Sequence, residues 1–180
     1  MTTSVFNPFL CQYWDAIHCD PDEWTYVPSD YGVKGVTLVG GKHMKLFSEL
    51  NNNWKNPGRR NGTNIGEVEK LKNDIISNGI NTNGSVIYYD VETGERVNGD
   101  HRRQGGEDLG IPGWMAQALK FDSLAAKIRF ATVSNNRKNI QHNNTSINDV
   151  ESCVRELMKV EGEYSEQRII DEVHCIGWHI

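Results

Sequence analysis

The 180-residue sequence lacks the marks of several protein classes. No stretch approaches the roughly 20 apolar residues of a membrane-spanning helix. No basic region followed by an apolar run opens the chain, so no secretion signal is predicted. The four cysteines, Cys11, Cys19, Cys153 and Cys175, show no Cys-x-x-Cys spacing. A zinc site at Cys11 and Cys19 with His18 is a minor alternative, and we expect free buried thiols in a cytoplasmic protein.

Positive charge is also scarce. Lys and Arg number 19 against 24 Asp and Glu, which gives a net charge of -5, whereas a protein that coats duplex DNA usually carries a basic excess. The positive charge that exists is local, and it lies at Lys55, Arg59 and Arg60, at 101–103, and at 137–138. This distribution favours a focused phosphate site over a broad DNA-binding surface.

The sequence does contain a compact pattern of elements between residues 85 and 112. The pattern predicts a buried strand, a turn, a short return strand and a helix of about ten residues, at Ser85–Tyr89, Asp90–Gly94, Glu95–Val97 and after Gly99. Asn98 and Gly99 can adopt the positive φ that a sharp strand-to-helix turn needs. Gly110 and Pro112 should end the helix.

Three basic side chains therefore fall at or just inside a helix N-terminus: His101, Arg102 and Arg103. The first turn of a helix has unpaired N–H groups and a partial positive charge. Two guanidiniums and an imidazole added there favour an anion, most naturally phosphate. The alternative is a solvated helix start whose arginines pair with Glu107 or Asp108.

The box Gly99–Arg103, with its helix end at Leu109–Pro112, resembles the signature of the ParB/sulfiredoxin-like superfamily. Phage and plasmid members carry Gly-x-His-Arg here, chromosome-partition members Gly-Glu-Arg-Arg, and sulfiredoxins Gly-Cys-His-Arg. In the family this turn holds the phosphates of a nucleotide or of DNA. The resemblance covers about residues 44–175. It implies an α+β fold, with a small mixed sheet, flanking helices and a helical segment that enters a helix-turn-helix.

The resemblance implies a DNA nuclease that cleaves or nicks phosphodiester bonds. Gly99 would form the phosphate turn, and His101 would serve as general acid or base or as a phosphate ligand. Arg102 and Arg103 would stabilise charge on the phosphate, and Asp100 would bind Mg²⁺ or Mn²⁺ or orient His101. Two alternatives stay open: a switch or NTPase that binds CTP or ATP, and a non-catalytic DNA-binding regulator. A homodimer is a further expectation.

Two loops add candidate residues through the same resemblance. The loop 56–60 resembles one that precedes the first family helix and would bring Arg59 and Arg60 to the anion site. The segment 134–138 resembles the third box, where Asn135 would help to hold the metal and Arg137 would bind phosphate. Ser134 stands where partition proteins have Glu. Because a hard cation prefers carboxylate oxygens, this departure weakens the CTP-switch alternative.

Periodicity predicts the remaining elements and a division into three parts. The elements are a strand at Gly35–Gly40, a short helix within Met44–Trp54, and helices at Ile65–Asn78, Ser123–Val133, from Thr145 to a break at Glu161–Glu163, and Tyr164–Val173. The family places a strand within Gly113–Leu119. The parts are an aromatic-rich extension (1–35), the ParB-like domain (36–138) and a helical segment (145–180). The apolar last residues lead us to expect that the chain continues in a longer protein.

Overall fold

The computed structural model of the protein describes residues 33–57, 64–78, 86–134 and 147–176. Several predictions fall outside these residues. They are the N-terminal extension as far as residue 32 with its possible zinc ligands, the phosphate-binding roles of Arg59, Arg60 and Arg137, and the metal-binding role of Asn135.

The described residues form a four-stranded mixed sheet with five α-helices. In chain order the elements are β1 (Val36–Leu46), a 3-10 turn (Phe47–Glu49), α1 (Ile65–Asn78), β2 (Ile87–Asp90), β3 (Arg96–Asn98), α2 (Asp100–Asp108), β4 (Gly113–Phe121), α3 (Leu124–Val133), α4 (Ile147–Glu161) and α5 (Glu166–Cys175). The strand order is β1–β4–β2–β3, with β2 parallel to β4 and antiparallel to β3. The predicted α+β class is therefore confirmed.

The predicted strand–turn–strand–helix pattern is confirmed element by element. Every residue of β2 is buried, and β3 returns antiparallel to it after a turn that ends at Gly94. Helix α2 begins directly after Gly99. It ends where the amides of Gly110 and Ile111 bond back to the carbonyls of Glu107 and Gly106.

The predicted helix within Met44–Trp54 is wrong. Residues 44–46 continue strand β1, and only Phe47–Glu49 make a single 3-10 turn. The spacing of Met44, Phe47 and Leu50 fits a helix, but tertiary contacts decide otherwise. The Phe47 amide donates to the carbonyl of Pro112 at 3.0 Å, and its ring packs in the core.

Helix α1 has the predicted bounds and a narrow buried face. Val68 and Ile75 are buried, whereas Ile65 at the start of the helix and Ile76 near its end are 78% and 44% exposed. The helix packs on α2, where Leu71 lies beside Gly105. A Cβ on Gly105 would be 3.3 Å from the nearest Leu71 methyl, so the missing side chain lets the two helices approach closely.

A buried amide fixes β1 beside β4. Gln117, 2% exposed, donates from Nε2 to the carbonyls of Val39 at 3.3 Å and Gly40 at 3.1 Å. Gly113 at the start of β4 lies close to the backbone of β1. A Cβ at this position would stand 2.5 Å from the Lys45 carbonyl oxygen, so the approach requires a glycine. The bonds to β1 give the buried Gln117 amide the partners that a polar group out of contact with water needs.

The described residues fall into two compact units. One contains 38–54, 64–78 and 86–119, and the other contains 33–37, 55–57, 120–134 and 147–176. In the second unit the predicted helices are confirmed. Ser123 and Ser165 cap α3 and α5 by accepting the amides of Ala126 and Arg168, and α4 ends before Gly162 at φ +94°.

A charged cluster around Arg129 connects the helices of the second unit. We call it the Arg129 cluster, and its members are Arg129, Glu161, Tyr164, Arg168 and Glu172. Arg129 donates from Nε to Glu172 Oε1 at 2.8 Å and pairs through Nη1 with Glu161 Oε1 at 2.7 Å. Glu172 is only 4% exposed. Burial alone would lower the pKa of Arg129, but its bonds to Glu161 and Glu172 outweigh burial and raise it. The cluster links α3, α4 and α5.

Cys153 is buried in this unit and Cys175 is exposed, and both are free thiols. The expectation of buried thiols thus holds for Cys153 and fails for Cys175. Burial raises the pKa of Cys153 to about 11, and its sulfur lies 3.3 Å from Thr132 Oγ1. No helix among the described residues has the length and apolar character needed to cross a bilayer.

Candidate phosphate site at two helix N-termini

Gly99 forms the turn that sets the direction of α2. Its φ of +97° lies in the left-handed region that favours glycine. A Cβ there would stand 2.8 Å from Ile87 Cγ1, closer than real side-chain contacts allow. The predicted need for glycine is therefore confirmed on two grounds. Because Gly99 has no side chain, α2 starts without a side-chain cap.

The start of α1 meets the start of α2 at His101. The backbone N–H of Asn64 donates to His101 Nε2 at 3.2 Å, and Asn64 Oδ1 in turn accepts the amide of Glu67 in the first turn of α1. An imidazole nitrogen that accepts a hydrogen bond carries no proton, so this contact places the proton of a neutral His101 on Nδ1.

Helices α1 and α2 run in the same direction. Asn64 lies by His101 at one end, Leu71 lies by Gly105 further along, and Lys72 Nζ is 3.5 Å from Asp108 Oδ2 near the other end. Both helices therefore direct their partial positive charge to the end that holds His101. An anion at that end would stabilise both helix starts.

Asp100 lies between two guanidiniums, and we call this group the Asp100 cluster (Arg96, Asp100, Arg103). Its Oδ1 is 3.1 Å from Arg96 Nη2, and it accepts from Arg103 through Nη2 at 2.9 Å and Nε at 3.1 Å. Arg103 also donates to Glu107 at 2.8 Å. The alternative in which the helix-start arginines pair with local acids thus holds for Arg103 and Glu107.

Arg96 is the member of this cluster that the sequence did not reveal. It lies on β3, its Nε donates to Asn52 Oδ1 at 3.0 Å, and its side chain is 12% exposed. Burial lowers the pKa of Arg96, while Asp100 opposes that effect and Arg103 adds to it. Arg96 and Asp100 are four residues apart, but a strand, a turn and the start of a helix separate them. Only the fold therefore relates the two residues.

The structure brings Gly99, Asp100, His101, Arg102 and Arg103 together at this one helix start, and the last four are half-buried. The other predicted residues are not described. Three further carboxylates of this unit, Asp90, Glu92 and Glu95, lie at or next to the β2–β3 turn.

The metal-binding role of Asp100 stays a prediction. Two guanidiniums contact Asp100 Oδ1, and their charge opposes a divalent cation at that oxygen. Within the described residues no group of three or more His, Cys, Asp and Glu side chains is arranged to hold a metal ion. Ser134, at the position of the family acid, is buried and donates to the Ala131 carbonyl at 3.2 Å.

Comparison of the chain with protein-family models, with curated proteins and with solved structures gives no match.

Proposed function

We propose that the chain is a ParB-like DNA nuclease that binds a backbone phosphate at the joined N-termini of α1 and α2. The convergence of these two helix starts at His101 carries the proposal. Aligned helix N-termini attract anions whether or not the chain is related to the ParB family. The order of helix, strand, signature helix and strand in the first unit is compatible with the order expected from the family.

Each side chain has a separate role in this proposal, which follows from its contacts. His101, with its proton on Nδ1, donates a hydrogen bond to a phosphate oxygen or transfers a proton during cleavage. Arg102 stabilises charge on the phosphate. In hydrolysis a water oxygen bonds to phosphorus, one ester P–O bond breaks, and the leaving oxygen gains a proton. No step is assigned to a metal at Asp100.

The charge of the ligand favours DNA over a nucleoside triphosphate. Arg96 and Arg103 already pair with two acids, Asp100 and Glu107, so their charges are balanced within the fold. A single phosphodiester carries one negative charge, whereas a triphosphate carries several and usually needs a cation partner. Binding of CTP or ATP remains the second candidate, since the same helix ends would attract it.

A plasmid-nicking assay tests the proposal. Purified protein is incubated with supercoiled plasmid and Mg²⁺ or Mn²⁺, with and without EDTA. We expect conversion to open circles that falls about 100-fold in His101→Ala, the scale of general acid–base catalysis. The EDTA arm tests the cation dependence that the resemblance implies.

The matched control is His174→Ala, which removes an exposed histidine from the last turn of α5. It should nick like the wild type. Equal nicking by His101→Ala and His174→Ala would contradict the role of His101. Saturable binding of CTP or ATP without any nicking would favour the nucleotide-switch alternative over the nuclease.

A further inference from the structure

The geometry points to a phosphate subsite formed by Arg96 and Arg103, in which Asp100 is the resident counter-ion that a phosphate must displace. This inference rests on the proposed function and deepens it. It adds Arg96 to the binding residues, and it changes the role of Asp100 from metal ligand to internal competitor.

Three guanidinium nitrogens converge on one carboxylate oxygen. Arg96 Nη2 and Arg103 Nε and Nη2 all lie 2.9–3.1 Å from Asp100 Oδ1. Guanidiniums bind phosphate oxygens with the same donors and at the same distances as carboxylate oxygens. The carboxylate therefore occupies a position that suits a phosphate oxygen.

Both arginines are also oriented by residues outside the Asp100 cluster. Asn52 accepts from Arg96 Nε at 3.0 Å, and Glu107 accepts from Arg103 Nη1 at 2.8 Å. These contacts hold the guanidiniums when Asp100 turns away. Since the two side chains are only 12% and 16% exposed, little of their charge is screened by water.

Asp100 also interacts with the partial charge of helix α2. It is the first residue of α2, where its carboxylate is an anion at the partial positive end of that helix. Asp100 thus satisfies both the helix end and the arginine pair, which are the two features that would attract a phosphate. A phosphate that binds here competes with Asp100 for both.

Asp100→Asn tests the inference, because it keeps the shape of the side chain and removes its charge. Binding of a fluorescent single-stranded oligonucleotide is measured by anisotropy over a range of salt concentrations. We expect affinity to rise about tenfold and the slope of log K against log salt to steepen by about one. A metal ligand would behave in the opposite way, since its loss would weaken cation-dependent binding.

Asp108→Asn is the matched control. It removes the same charge from the same helix, but at its far end, where Asp108 accepts from Gln104 Nε2 at 2.8 Å. We expect a change in affinity below about twofold, because the charge lies about a helix length from the subsite and is screened. Equal effects of the two variants, or weaker binding by Asp100→Asn, would overturn the inference.

Arg96→Gln keeps the test decisive if Asp100→Asn does not fold. It should weaken binding about tenfold and reduce the salt slope by about one, whereas Arg155→Gln, at an exposed α4 position, should not. If the wild type binds but Arg96→Gln is unaffected, this inference fails while the proposed function stands. If the wild type binds no oligonucleotide, both fail.

Discussion

The two charged clusters differ in the group that is shared at their centre. In the Asp100 cluster two guanidiniums share one carboxylate oxygen, and Glu107 also pairs with Arg103. In the Arg129 cluster Arg129 bonds two carboxylates, and Arg168 also pairs with Glu161. The first begins a helix at a strand-to-helix turn, and the second joins three helices. Asp100 is 26% exposed and Glu172 is 4% exposed.

This difference separates a binding role from a structural one. Arg129 contacts acids through all three guanidinium nitrogens, so its charge is used within the fold. A buried ion pair is costly to break because the remaining charge stays out of water. Around Asp100 two guanidiniums share one oxygen of a partly exposed carboxylate, and this contact is the one that we propose a phosphate displaces.

The largest expected effect is on stability, in Arg129→Gln. The variant leaves Glu172 buried without its main partner, so we expect the free energy of unfolding to fall by about 3–5 kcal/mol. Asp100→Asn should cost less than about 1 kcal/mol, because the pair is partly exposed. Urea denaturation measures both, with the exposed Arg155→Gln as the control. Equal losses for Arg129→Gln and Asp100→Asn would abolish the distinction between the clusters.

The next effect concerns the turn before the Asp100 cluster. Gly99→Ala faces both a positive φ and the contact with Ile87, and we expect a loss of about 2–3 kcal/mol. Gly162→Ala is the matched control, since its φ is +94° and nothing lies within 4 Å of an added Cβ. It should lose about 1 kcal/mol from backbone strain alone. A loss in Gly99→Ala no larger than in Gly162→Ala would show that Ile87 yields easily.

The smallest effect is a pH dependence in the second unit. The pKa of Cys153 is raised to about 11 in the folded chain and lies near 8.5 when unfolded. Its contribution to stability is therefore complete below about pH 8.5 and is lost as the pH rises towards 11.

Between pH 8 and pH 10.5 the wild type should lose about 2 kcal/mol more than Cys153→Ala, which lacks the thiol. Chemical denaturation at the two pH values gives this difference, and other titrating groups cancel in the comparison. Parallel losses in both proteins would mean that the thiol is not protected from ionisation in the folded state.

Local signals in the sequence were sufficient to predict most of the helices and strands. Apolar runs, turn residues and helix stops predicted β2, β3, α1 and α2, and Gly99 was identified from the turn that it makes. The helix predicted within Met44–Trp54 failed because spacing alone cannot show that a strand continues and that Phe47 bonds to Pro112. Long-range contacts override local periodicity there.

The candidate site was predicted only in part, because some of its contacts are also long-range. His101, Arg102 and Arg103 follow from one contiguous motif. Arg96 and Asn64 enter through contacts that cross a turn or join two helices. The Arg129–Glu172 pair spans 43 residues, and no local pattern relates its members.

Gln117 also bears on how the sheet assembles. Its amide reaches the carbonyls of Val39 and Gly40 on β1, and it also donates to the carbonyl of Ala118 on its own strand. Among the described strands, β1 lies at the edge of the sheet, so it has a neighbouring strand on one side only. The side chain of Gln117 therefore ties the outermost strand to the interior of the sheet in addition to the backbone ladder.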